Sequence, residues 1–87
     1  MRIDKFLKVS RLIKRRTMAK EVAEQGRVKV NGQTAKAGVT VKPGDEMTIE
    51  FGQKRVTLRV ERLEEAAKKD DAGTMYTILQ EEPRNNG

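Results

Sequence analysis

The stretch KRRTMAKEVAEQGRVKVNG (residues 14–32) decides the fold, because the spacing of its apolar residues changes partway along. Met18, Ala19, Val22 and Ala23 recur at the three-to-four-residue interval that lines up side chains on one side of a helix. Thr17 stands just before them as an N-cap, and together they predict a helix over residues 18–25. Gly26 follows, at the left-handed position that commonly closes a helix. From Arg27 the interval is two. Val28 and Val30 alternate with Arg27 and Lys29 as in a half-buried strand, and Asn31-Gly32 is a strong hairpin-turn signal. A helix therefore runs almost directly into a hairpin.

Upstream, residues 2–13 read as another helix, in which Ile3, Phe6, Leu7, Ser10 and Ile13 form the buried stripe. Lys5, Lys8 and Arg11 fall on the opposite side, and Lys14-Arg15-Arg16 make a short basic joint between the helices. Downstream, Pro43-Gly44-Asp45 marks a turn into an alternating strand through Met47, Ile49 and Phe51. Gly52-Gln53 turns that strand into a second one through Val56, Leu58 and Val60. Residues 61–73 fit a short helix or a loop, Met75 to Gln80 a last strand, and residues 81–87 a frayed tail. The pattern predicts an α+β fold, two N-terminal helices packed on a small antiparallel sheet. The three aromatics, Phe6, Phe51 and Tyr76, are expected to pack in the core rather than stack on bases.

The 87 residues suffice for one domain, and they hold neither Cys nor His. Thiol and imidazole catalysis, disulfides and zinc sites built on those ligands are thereby excluded. The acids cluster as Glu64-Glu65, Asp70-Asp71 and Glu81-Glu82 in strongly polar stretches, and there is no phosphate-cradling glycine loop with its lysine. The expectation is a non-enzyme without cofactor or metal. No apolar run approaches the roughly 18 residues that cross a bilayer, so no membrane partner is expected.

The net charge of +6 is unevenly spread. Residues 1–36 hold eleven Lys/Arg against three Asp/Glu, a net of +8, whereas residues 37–87 hold eight against ten, a net of −2. Such a division is the footprint of a polyanion ligand. The basic joint precedes a helix N-terminus, whose open N–H groups and dipole also favour an anion. Arg2, Arg11, Arg15 and Arg16 are the preferred phosphate contacts, because a guanidinium grips phosphate in bidentate fashion. Lys5, Lys8, Lys14 and Lys20 support them. Asp4 is the one acid among residues 1–20, and two roles are open to it: a favourable charge in the first turn of its helix, or an ion-pair partner that orients an arginine. With so few aromatics the expected target is structured nucleic acid gripped by backbone and shape, and charge fits RNA and DNA alike.

Four ordered motifs carry a resemblance: Arg2-Ile3-Asp4-Lys5-Phe6-Leu7, Lys14-Arg15-Arg16-Thr17-Met18-Ala19, Gly26-Arg27-Val28-Lys29-Val30-Asn31-Gly32 and Val41-Lys42-Pro43-Gly44-Asp45-Glu46. Together, over residues 1–60, they resemble the S4 RNA-binding domain, followed by an extension over 61–80 and a flexible tail over 81–87. Taken whole, the chain resembles the RqcP-type family of stand-alone S4 proteins of Gram-positive bacteria, relatives of the bacterial heat-shock protein fifteen. The resemblance implies a cytoplasmic, ribosome-associated factor of ribosome-associated quality control. Such a factor binds large-subunit rRNA and P-site peptidyl-tRNA on obstructed large ribosomal subunits. There it supports RqcH in adding a C-terminal alanine tail to the stalled nascent chain. The alternative is a general rescue or recycling factor like heat-shock protein fifteen, without a role in tailing. A monomer is expected. The family's RNA-contact surface lands here on Arg2, Asp4, Lys5, Arg11, Lys14, Arg15, Arg16, Thr17 and Lys20; Lys8 joins them from the charge pattern alone.

Overall fold

A computed structural model describes residues 1–64 and 73–83. Two helices, α1 (Ile3–Val9) and α2 (Arg16–Glu24), precede five strands: β1 (Val28–Val30), β2 (Gln33–Thr34), β3 (Glu46–Phe51), β4 (Lys54–Val60) and β5 (Tyr76–Pro83). The strands form one antiparallel sheet in the order β2-β1-β3-β4-β5. This is the expected α+β arrangement, with the helices packed on the sheet through a shared core.

The α1 stripe is buried as predicted, but the helix is shorter than residues 2–13. It stops at Val9, with Ser10 as C-cap and Arg11 in the left-handed region at φ 64°. The Ser10 hydroxyl donates back to Leu7 O (3.3 Å), and the N–H groups of Arg11 and Ile13 reach Lys8 O (3.1 Å) and Leu7 O (3.0 Å). Those bonds close the helix end and swing Ile13 back into the core, so its burial mimics one more helical turn. The second helix starts earlier than predicted. Arg15, extended at φ −124° and ψ 134°, is its N-cap without a side-chain cap bond, and Thr17 lies inside the first turn. Met18 is exposed rather than inward, because α2 docks through the small residues Ala19 and Ala23 with Val22 beside them. At its other end Gly26 is left-handed (φ 78°), and the N–H groups of Gly26 and Arg27 close on Ala23 O and Val22 O, a Schellman motif.

Asn31 and Gly32 both have positive φ (51° and 85°), the conformation of a two-residue turn that joins β1 to β2. Asn31 also donates its amide to Asp45 Oδ1 (3.2 Å) and accepts the Glu46 N–H (3.0 Å), while Asp45 Oδ2 accepts from Lys42 N–H (3.0 Å). The two glycine-turn motifs are thus clipped together, and the register Val28↔Ile49 and Val30↔Met47 follows. Alternate residues Met47, Ile49, Val56, Leu58 and Val60 face the helices, closed by Met75. Phe6 is fully buried, and Phe51 and Tyr76 pack half-buried against the same core, as expected of packing aromatics.

Strand β5 continues to Pro83, past the expected end at Gln80. Glu81 and Glu82 are held in register by Lys54 (3.0 Å) and Arg55 (3.8 Å) on β4, which is why the acidic pair is strand rather than tail. The expected helix or loop over 61–73 and the tail over 81–87 fall largely outside the described residues, at 65–72 and 84–87.

Candidate nucleic-acid interface

Arg2 and Arg16 are fourteen positions apart in sequence, and the packing of α1 on α2 brings them to one carboxylate. Asp4 sits in the first turn of α1 and is 3% exposed. Arg2 Nε lies 3.4 Å from its Oδ1, and Arg16 Nε 3.4 Å from its Oδ2, with Arg16 Nη2 donating to Oδ1 at 3.4 Å. Both sequence-level roles of Asp4 are therefore present, the first-turn charge and the ion-pair partner. The arginine side chains themselves remain half exposed (51% and 49%).

The other predicted residues surround this junction. Lys8 stands one turn after Asp4 on α1, and Lys20 one turn after Arg16 on α2. Lys14 and Arg15 form the exposed joint, and Arg11 projects from its left-handed position at the end of α1. Among the described residues, Lys8, Arg11, Lys14, Arg15 and Lys20 have no carboxylate within 4.0 Å. Lys5 is half-buried and Thr17 exposed.

The two helix starts differ. At α1, Ile3 N–H donates to Val39 O (2.9 Å), Asp4 N–H to Ala37 O (3.5 Å) and Lys5 N–H to Asp4 Oδ1 (2.8 Å), so that end is closed by loop 35–41 and by Asp4 itself. At α2 the first intrahelical donor is Ala19 N–H to Arg15 O (3.0 Å), and the N–H groups of Arg16, Thr17 and Met18 have no acceptor among the described residues. An anion approaching the joint meets open N–H groups, the positive end of α2 and several cations together.

The capping contribution of Ala37 and Val39 was invisible in the sequence, since carbonyl groups carry no residue signature. Lys36 belongs elsewhere: its Nζ donates to Glu24 O (3.0 Å) at the C-terminal end of α2 and pairs with the Glu24 carboxylate (3.9 Å). A separate open groove of about 390 Å³ lies between Leu12, Phe51, Val56, Tyr76 and Ile78. Its two charged walls, Lys54 and Glu81, are paired with each other. Among the described residues no group of three acids forms a metal-binding cluster, and no helix is long and apolar enough to cross a membrane.

Known proteins share this fold. The S4 domain model matches residues 1–47. A protein of Bacillus subtilis strain 168 named RQC P-site tRNA stabilizing factor is 66% identical over 82 residues, covering 94% of this chain and 95% of its own. Its namesake in Listeria innocua is 70% identical over 82 residues, covering 94% of this chain and 89% of its own. The structure of heat shock protein 15 from Vibrio cholerae, described as trimeric, superposes with a TM-score of 0.84 at 30% identity, over 91% of this chain and 81% of that one.

Proposed function

The chain belongs to the S4-domain family and, within it, to the group of RQC P-site tRNA stabilizing factors, and on that premise we propose that it is a non-catalytic RNA-binding factor of ribosome-associated quality control. It binds rRNA and the P-site tRNA on large ribosomal subunits obstructed by peptidyl-tRNA, and it supports RqcH-dependent alanine tailing of the stalled chain. The observation that carries this reading is the α1–α2 face, where cations without a carboxylate partner among the described residues surround the N-terminus of α2. Phosphates are the ligand such a face suits, and few aromatics are present to read unstacked bases. With roughly five phosphates engaged, affinity falls with salt at a log–log slope of about −4. The protein acts as a monomer.

Gradient sedimentation of the tagged protein from lysate, with fractions probed for tRNA-linked nascent chains, tests the reading. Enrichment on large subunits carrying peptidyl-tRNA is expected. Migration with small subunits, or at the top of the gradient at low salt, would overturn it. Alanine tails should disappear in a deletion strain; tails that persist while blocked subunits accumulate would favour the rescue role of a heat-shock-protein-fifteen relative. Light scattering tests the monomer, and three copies per particle would align it with the trimeric Vibrio cholerae structure instead.

A further inference from the structure

We propose that Asp4 is a positioning residue that never touches RNA: it holds Arg2 and Arg16 side by side so that both guanidiniums grip the same phosphate. The inference rests on the α1–α2 face being the RNA interface. At 3% exposure the Asp4 carboxylate is turned into the protein, and its two oxygens are already occupied by Arg2, Arg16 and the Lys5 N–H. A phosphate cannot reach it without displacing them.

What Asp4 does for the arginines follows from the contacts. Two guanidiniums repel, and long half-exposed side chains lose rotamer freedom when held together. A carboxylate between them removes the repulsion and fixes both at once. Its own position is set by the backbone, since Asp4 N–H donates to Ala37 O (3.5 Å) and the neighbouring Ile3 N–H to Val39 O (2.9 Å). Arg2 meets Asp4 through Nε, which leaves both its terminal nitrogens for another acceptor. Arg16 meets it along the Nε–Nη2 edge, which leaves Nη1. Two charges thus point outward from one fixed base, the arrangement that a phosphate with several oxygens can bridge. Electrostatics alone would predict the opposite role, because a carboxylate in a cationic face weakens attraction for a polyanion.

That difference in sign gives the test. Asp4→Asn removes a negative charge and keeps the side-chain shape. Binding to purified large ribosomal subunits is measured by co-sedimentation across a salt series, beside the melting temperature. The expected result is a loss of affinity of about tenfold or more, with a salt slope shallower by about one phosphate contact. Unchanged or tighter binding would overturn the proposal. In an Arg2→Ala/Arg16→Ala background Asp4→Asn should cost nothing further; an equal loss there would mean that Asp4 acts through the fold, and would overturn it too. If Arg2→Ala/Arg16→Ala itself leaves affinity intact, the interface reading has failed and not the positioning step alone. Should Asp4→Asn not fold, Arg2→Lys/Arg16→Lys carries the test. Both charges stay and both forks go, so a similar loss is expected, and retained affinity would overturn the proposal.

Discussion

On the sheet, Arg55 stands between two carboxylates, Glu50 and Glu82, at 3.8 Å each, whereas on the helical side Arg11, Lys14 and Arg15 stand beside none among the described residues. The pattern repeats along the sheet. Lys54 pairs with Glu81 (3.0 Å), Arg59 with Glu61 (2.9 Å), and the Thr48 and Thr57 hydroxyls meet at 3.3 Å. Glu50, Arg55 and Glu82 are direct cross-strand partners, so strand register itself neutralises the charge. Where α1 and α2 begin, the cations surround a single acid, Asp4, which is buried beneath two arginines, while the acids of α2, Glu21 and Glu24, stand in its later turns. A count of Lys and Arg describes both regions as basic; compensation is what separates a candidate phosphate face from a salt-laced sheet.

The comparison is broken most severely at Arg16. Arg16→Glu removes a proposed contact and sets a second carboxylate against buried Asp4, so large-subunit affinity should fall by about 100-fold or more and the melting temperature should drop as well. Arg16→Ala separates the two effects. An affinity loss of about 2–3 kcal/mol is expected with a much smaller change in melting temperature. Equal binding by Arg16→Ala and the parent would remove the helical face from the interface.

Next in size is a change to stability alone. Asp45 is 8% exposed and accepts from Asn31 and from the Lys42 N–H, so it ties the β1–β2 turn to the loop before β3. Asp45→Ala leaves those donors without their acceptor and should cost about 2–3 kcal/mol by urea unfolding. Affinity of the folded fraction should not move, since the Asp45 carboxylate bonds to Asn31 and Lys42 and not to Arg2 or Arg16. A binding loss at full folding would extend the interface to the turn.

The strand-forming half of the fold was the more legible. Its alternation, the Asn31-Gly32 turn and the Gly26 closure are local signals, and each is found where its residues predict it. The helix ends were harder. Ile13 is buried by a non-helical turn that happens to continue the helical interval, and Thr17 is a good capping residue placed two positions too late. Periodicity turns Met18 inward because it cannot show that α2 docks on its two alanines. The cations of the candidate site stood out by composition. The burial of Asp4 did not, because it depends on Arg16, twelve residues on, and on carbonyls of loop 35–41. Strand β5 reaches Pro83 only because β4 offers cations to Glu81 and Glu82, and that pairing is tertiary.

Arg11 sharpens the comparison with effects of opposite sign. At φ 64° it holds a conformation that costs a side-chain-bearing residue about 1–2 kcal/mol, at a position where glycine is the usual occupant. Arg11→Gly should therefore raise stability by about 0.5–1 kcal/mol once the extra freedom of the unfolded glycine is set against it. Large-subunit affinity should fall a few-fold in the same variant. A more stable protein with undiminished binding would show that the strain serves no contact. On the sheet, Arg55→Ala should change affinity less than about twofold and stability by less than about 1 kcal/mol, as expected of a solvated pair.

The smallest effect concerns how the sheet tunes its own acids. The Thr77 hydroxyl donates to Glu61 Oε2 (2.7 Å), and Arg59 Nε donates to the same oxygen (3.0 Å). Those bonds, Thr77 first and Arg59 second, hold the Glu61 carboxyl below its ordinary range. A carboxyl with a depressed folded-state pKa adds stability that is fully present above its unfolded pKa and is lost as pH falls through the folded value. Thr77→Val removes the stronger donor, so the Glu61 pKa should rise toward the ordinary value by carboxyl-carbon NMR titration, and the stability that Glu61 loses on acidification should shrink. By its hydrogen bond alone Arg59→Ala should move it less, although it also removes a nearby positive charge. Were Arg59→Ala to move it more, Glu61 would be governed by charge, as the helical face is, rather than by hydrogen bonds set by strand register, and the contrast between the two regions would weaken at this site.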